Sequence, residues 1–252
     1  MSYTDIFRTS GAAAIGVSSK RQQNMNRKIT DLLAEVPEGQ SRLFKAKHAS
    51  ADENRFVEVM TNWNYDAVVS WTNPPEPLQS LWTGSRVKPR NGLDTLVEQP
   101  DFRFRKKLGK LVDFFQSQGA AYLVSPALLD VIERLDPGSL DVMPVMIKAL
   151  DGEVPFNLVM PNRALEAVDP DRCDVQIERR KIVEQCFTDV RFPNGAAFQS
   201  ELTKGIHNFA DIDAFQKWFW SRELLAAAKE AGIRGIYATV PAGLSSSIVD
   251  EF

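Results

Sequence analysis

Two cysteines, two histidines and no long apolar run leave this sequence poor in the groups that most often announce a function. The cysteines, Cys173 and Cys186, form no C-x-x-C pair. That argues against a disulfide framework or a thiol redox motif and fits reduced thiols in a cytoplasmic protein. The histidines, His48 and His207, lie far apart, and neither sits in H-x-x-x-H or H-E-x-x-H. With the cysteines they make no ligand spacing, so no metal site is expected. There is no P-loop and no G-x-G-x-x-G, so no nucleotide cofactor is expected either. No G-x-S-x-G occurs: Ser125 and Ser221 have no glycine two positions away, which makes them helix caps in this reading rather than nucleophiles. No window approaches the roughly 18 apolar residues of a membrane helix. The segment GAAAIGV, Gly11 to Val17, is short and follows a single Arg8, a weak signal-peptide core.

What is present is ordinary globular material. Of 252 residues, 44% are hydrophobic and 25% charged. A chain this long buries roughly 70–75% of its unfolded surface and needs neither disulfide nor metal to fold. Charge is uneven. Residues 1–50 hold eight Lys/Arg against four Asp/Glu, a balance of +4, and with −3 overall the remainder carries −7. An acidic body argues against nucleic acid as the main partner, because phosphate binding needs a basic face. The one basic run is RFRKKLGK, Arg103 to Lys110. With Phe104, Leu108, Leu111, Val112 and Phe115 at helical spacing, it predicts the solvated face of an amphipathic helix.

Along the chain, residues 1–20 show no periodicity and predict a loose arm. Met25, Ile29, Leu32, Leu33 and Val36 line one helix face, stopped by Pro37 and Gly39. Residues 40–55 are polar and predict a connector. FVEVM (Phe56 to Met60) and YDAVVSW (Tyr65 to Trp71) predict strands. TNPPEP, Thr72 to Pro77, breaks regular structure, and Leu78 to Gln99 predicts a long loop carrying Trp82. VQIER (Val175 to Arg179) and CFTDVRF (Cys186 to Phe192) alternate as strands, with Asn194-Gly195 a turn signal.

The most legible stretch is Tyr122 to Val159. Ser125-Pro126 is an N-cap followed by a first helical residue. Leu128, Leu129, Ile132 and Leu135 line one face, and Asp136-Pro137-Gly138 ends the helix. Leu140, Val142, Val145 and Ile147 predict a strand in which Pro144 marks an edge or a bulge. Asp151-Gly152 is a two-residue hairpin turn, with Val154, Phe156 and Leu158 on the return strand. Trp218 to Val240 repeats the plan at an offset of 96 residues: three apolar residues, Ser221, Leu224-Leu225, a glycine stop and a strand. The reading is α+β: a mixed, largely antiparallel sheet with a few flanking helices, containing two strand–Ser-capped helix–strand units.

Candidate chemistry is thin. Cys186 and His207 could make a nucleophile–base dyad, but Cys186 lies in an alternating apolar run, the setting of a structural thiol. Asp211 and Asp213 stand at i, i+2 in NFADIDAF, one strand face, as a general-acid pair might, or in a polar loop. No catalytic, metal-ligating or cofactor-binding residue is assigned. The five Trp and fifteen Phe are a heavy aromatic stock. In QKWFWS, Trp218 and Trp220 share one strand face and Phe219 takes the other, which predicts burial on both. Aromatics outside the core would be binding anchors.

The segment Ala120 to Val175 resembles immunity protein eleven of the bacterial polymorphic toxin systems, a family first catalogued as a domain of unknown function. The resemblance rests on "V-S", a helix ending at L-D-P-G (Leu135 to Gly138), V-x-P-V (Val142 to Val145), "A-V-D" (Ala167 to Asp169) and Cys173. His207 to Val240 is similar to the family's closing unit, with H-x-F, a Ser-capped helix and A-G-x-x-G (Ala231 to Gly235). The likeness covers roughly residues 56–242. It implies a cytoplasmic, non-enzymatic protein that binds and neutralises a cognate protein toxin as a stoichiometric inhibitor, with no cofactor and with neither nucleic acid nor membrane as partner. It divides the chain into a basic N-terminal arm with one helix, 1–50, and an immunity-protein-like α+β domain, 51–252. The expected partner contacts are Trp82 and Arg86 of the loop and the acidic pair Asp211 and Asp213. The alternatives are an adaptor or scaffold associated with a secretion system, and an enzyme using Cys186 or the Asp211/Asp213 pair.

Overall fold

The computed structural model describes residues 28–48, 55–62, 69–73, 92–96, 98–117, 121–182, 185–211, 217–239 and 248–252. The sequence Tyr122–Val159 follows its local signals except at the hairpin, where the turn falls one residue earlier than Asp151-Gly152, because Gly152 already pairs with Ala149 as the first residue of the return strand. After strands β1 (Ser41–Phe44), β2 (Phe56–Thr61), β3 (Val69–Trp71), β4 (Phe102–Phe104) and β5 (Phe114–Gln116), the chain enters β6 (Tyr122–Val124). The Ser125 hydroxyl accepts the Leu128 N–H at 3.2 Å, Pro126 occupies the first turn, and the helix runs Pro126–Leu135. It is the second helix, α2, after a short α1 (Ile29–Ala34). Gly138, at φ 66, supplies the left-handed residue that releases the chain into β7 (Leu140–Ala149), and Leu150-Asp151 turns it into β8 (Gly152–Pro161).

The second half follows a related course. β9 (Ala164–Leu165), β10 (Val175–Ile182), β11 (Gln185–Arg191), α3 (Ser200–Thr203) and β12 (Asn208–Asp211) lead to β13 (Trp218–Ser221). The Ser221 hydroxyl accepts the Leu224 N–H at 3.0 Å and starts α4 (Arg222–Glu230), followed by β14 (Ile236–Thr239) and β15 (Ile248–Glu251).

The described strands form three sheets: β1-β10-β11, β15-β14-β2-β13-β12-β9, and β3-β4-β7-β8-β6-β5. Most pairs are antiparallel; β12 with β9 and β4 with β7 are parallel. β6 and β7 each run antiparallel to β8, which lies between them, so the helix between β6 and β7 links parallel strands. β13 and β14 flank β2 in the same way. The orders β5-β6-β8-β7 and β12-β13-β2-β14 are thus one arrangement built twice, with the central strand drawn from a different part of the chain.

The cores follow the alternation of the strands. Trp218, Trp220, Val57 and Val59 of one six-stranded sheet meet Phe114, Tyr122, Val124 and Val159 of the other, with Leu128, Ile132, Leu224 and Leu225 of the two helices, in a central core. Phe219 and Phe56 point the opposite way into a second core with α1, Phe44, Val175 and Phe192. Phe102, Phe104, Ile147 and Leu158 fill a third. The sheet that carries Trp218-Phe219-Trp220 is therefore buried on two faces, as that pattern requires.

Two further expectations change, and the choice between edge and bulge at Pro144 is decided for the edge. Residues 40–55 are not all connector: Ser41–Phe44 pairs with β10. Only Phe44 of that strand is buried, so no alternation could betray it. The expected helix across Arg103 to Phe115 is instead β4, a 3-10 turn at Leu108–Lys110, and β5. Phe102 and Phe104 are buried and Arg103 exposed, a period of two that the helical spacing further on concealed. At Pro144 there is no bulge: the β7–β8 register runs unbroken, and pairing with β4 is registered only at Ile147 and Lys148. Pro144 therefore occupies a stretch of β7 with a registered neighbour on one side, the edge setting a proline needs. Residues before Lys28 and Tyr65 to Val68 lie outside the described residues.

Candidate partner-binding site

The two repeated units are fastened by a buried polar cluster made from L-D-P-G and H-x-F. Asp136, at the end of α2, is 3% exposed. Its Oδ2 accepts the main-chain N–H of His207 at 2.9 Å and of Asn208 at 3.0 Å, and the Asn208 side-chain amide at 3.2 Å. Its Oδ1 accepts from Arg163. Asn208 is fully buried, donates to Ser139 Oγ at 2.6 Å and accepts from Trp218 Nε1 at 3.2 Å. A buried carboxylate costs several kcal/mol unless its oxygens are satisfied; here backbone, amide and guanidinium donors satisfy them. The cluster ties the turn after α2 to the hairpin before α4.

His207 Nδ1 lies 2.9 Å from Ser221 Oγ, and Glu223 lies 3.8 Å from the same nitrogen. These are the residue types of a hydrolase, in a different arrangement. Asp136 holds the His207 main chain and not its ring, and Ser221 is buried with its oxygen taken by the first-turn amide of α4. The chemistry this supports is capping, with the imidazole bracing the cap.

Of the four expected contact residues, Trp82, Arg86 and Asp213 lie outside the described residues. Asp211 is fully buried, and its Oδ2 accepts the N–H groups of Ala167 at 2.9 Å and Val168 at 3.2 Å. It holds the chain leaving β9, which pairs with Asp211 through Leu165. Cys173 is buried, and desolvation, reinforced by Asp169, Asp174 and Asp211, pushes its thiol up to about 12. Such a thiol stays protonated and is no nucleophile at neutral pH. The Cys186 side chain lies outside the described residues. Among the described residues no group of three or more His, Cys, Asp or Glu could hold a metal ion, and no helix is long and apolar enough to cross a membrane.

What the sequence did not reveal is that β7 runs out from under the helix side of the sheet, where α2 packs on β8. Leu140 is buried in the central core, but Val142 and Met146, further along the same face, are 39% and 42% exposed. They lie beside exposed Pro144 and Pro155. The signal was available only as apolar residues at alternate positions, which in a strand ordinarily means core.

The described residues thus build two related units clipped together, with part of one sheet face exposed. The chain matches the model of the Immunity protein family (Imm11) over residues 42–239, from the second residue of β1 to the last of β14, and it belongs to that family. Membership implies a toxin-neutralising immunity function in general, with a toxin as the partner, and points to a non-enzymatic role. No curated protein matches the chain.

Proposed function

We propose that this protein binds a cognate toxin made by the same bacterium and neutralises it by stoichiometric occlusion in the cytoplasm, without catalysis and without nucleic acid or membrane as its direct partner. The observation that carries the reading is the family match across both repeated units. The buried polar cluster is consistent with it, because its groups are spent on holding the scaffold. A rigid scaffold favours tight association, since little ordering entropy is lost on docking. An interface of roughly 800 Å² per partner would suffice. Trp82, Arg86 and Asp213 remain contact candidates. Asp211 contributes indirectly in this reading, by fixing the end of β12.

The test is rescue. The reading frame adjacent to this chain's own is expressed in a bacterial host with and without the chain, and survivors are counted. Survival restored by the chain, with a one-to-one complex on co-purification, is the expected result. A neighbour that kills regardless, or is harmless, overturns the reading. Sub-stoichiometric protection would instead indicate an enzyme, and a complex that gives no protection an adaptor.

A further inference from the structure

One face of the sheet β3-β4-β7-β8-β6-β5 is covered only in part. The strand registers place Ser70, Arg103, Lys148 and Glu153 in one row across four strands. On the same face Met146 stands opposite Pro155, Pro144 opposite Asn157 and Val142 opposite Val159. The Val159 end lies in the central core under α2. Beyond the helix no element among the described residues covers the face. An open face of an antiparallel sheet normally presents polar residues. Here β7 presents Val142, Pro144 and Met146, and the hairpin turn adds Leu150 at 73% exposure.

Two concavities lie along this face. One, of about 440 Å³, is bounded by Pro126 and Leu129 of α2 and by Pro144, Met146 and Pro155. The other, of about 600 Å³, begins at Lys148, two residues further along the same face, and is lined by Arg103, Arg105 and Leu150. Its lining holds three cations and no carboxylate. Asp101 at its edge takes Lys148 at 2.7 Å and Arg103 at 3.4 Å, and Glu153 lies opposite Lys148. Arg105 has no ion pair among the described residues, and exposed Lys107 and Lys110 follow it. Their turn is held beside the hairpin by Leu108 N–H to Asp151 at 2.8 Å and Leu150 N–H to the Lys106 carbonyl at 3.1 Å. Against an acidic body, this is a local excess of positive charge beside exposed apolar side chains. Met and Arg around an apolar centre are the composition of interface cores, and opposite charge across such a surface fixes which partner fits.

We propose that this sheet face is where the toxin docks, and that the region seated on it is an apolar patch bordered by carboxylates. The proposal rests on the immunity reading.

The test compares full-length wild type with Met146→Glu and Arg105→Glu, and with Leu202→Glu and Leu43→Glu as controls. Leu202 and Leu43 are each 45% exposed and lie on α3 and β1. The probe is the protein encoded by the adjacent reading frame, titrated by calorimetry, and each variant's thermal melt is recorded. Met146→Ala and Arg105→Ala replace any glutamate variant that melts well below wild type. The expected result is a rise in Kd of about tenfold or more for each face variant, as for an interface anchor, with both controls within about twofold of wild type. Face variants that bind like wild type overturn the proposal and leave the immunity reading standing. Controls that lose binding equally overturn it as well. So does a wild-type protein of twice the chain mass that Met146→Glu renders monomeric, because the face would then join two copies. A wild type that does not bind the probe overturns both readings together.

Discussion

The carboxylate of Asp136 receives the main-chain N–H of Asn208 at 3.0 Å and its side-chain amide at 3.2 Å, across 72 residues of sequence. Replacing Asp136 with Ala leaves those donors, the His207 amide and Arg163 without their acceptor. The expected loss is about 3–5 kcal/mol, the cost of breaking a buried charged cluster. Asp136→Asn keeps an acceptor without the charge and should cost less, about 1–3 kcal/mol. Urea unfolding with an unchanged m value checks both, and a double-mutant cycle with Asn208→Ala should be strongly non-additive.

Gly235 closes the A-G-x-x-G motif at φ 98, and a Cβ there would lie 2.6 Å from Val112 Cγ2 and 3.1 Å from the Phe114 carbonyl. The neighbouring Arg234 is bolted to the same segment, its N–H donating to Asp113 Oδ2 at 2.9 Å. The glycine is therefore where the second unit touches the first. Gly235→Ala pays both for the left-handed backbone and for the overlap, and should destabilise by about 2–4 kcal/mol. Gly138→Ala, at φ 66 with open space around it, should cost only the backbone part, about 1 kcal/mol. Equal losses at the two sites would contradict the close-approach argument.

The two caps should differ. Ser125 Oγ accepts the Leu128 N–H; Ser221 Oγ accepts the Leu224 N–H and also meets His207 Nδ1. Ser125→Ala should cost about 1 kcal/mol, as a lost N-cap does. Ser221→Ala should cost more, about 2 kcal/mol, because it also strips a half-buried imidazole of its partner. Thermal unfolding of the two variants side by side decides it.

Much of the local structure was readable because its causes are local. Ser125-Pro126 and Gly138 mark α2 with residues whose geometry admits little else, and Trp218-Phe219-Trp220 announced two buried faces by alternation alone. The segment Arg103 to Phe115 reads as a helix because Phe104, Leu108, Leu111, Val112 and Phe115 satisfy helical spacing, while the alternation that names the strand occupies only Phe102-Arg103-Phe104. The meeting of Asp136 with His207 and Asn208 was invisible, since nothing local says which distant amides a helix-terminal carboxylate will receive. Asp211 reads as a contact residue because a position on a strand face gives no sign of whether that face looks to solvent; its carboxylate is buried on the Ala167 and Val168 amides. The open face of β7 escaped for the converse reason. Val142 and Met146 are apolar, and nothing in the strand's own sequence says that α2 will pack on β8 and leave them exposed.

Asp101 connects that face to pH. Hydrogen bonds from Lys148 at 2.7 Å and Thr72 at 2.6 Å, with Arg103 close by, lower its carboxyl from the ordinary 3.8 to about 2. A carboxylate with a depressed folded-state value stabilises the fold above the unfolded value. That contribution is fully present above about pH 4 and is lost as pH falls through about 2. Lys148→Met removes the largest cause, so the Asp101 titration midpoint, followed by carboxyl NMR, should rise toward 3.8. Stability of the variant should then fall less steeply between pH 4 and 2 than that of wild type. The pair is partly exposed, so the effect at neutral pH should be small, within about 1 kcal/mol, and should shrink with added salt. An unmoved midpoint would mean that Lys148 is not held by Asp101 in solution, and the positive groove would lose the tether that keeps its cations aligned along the sheet.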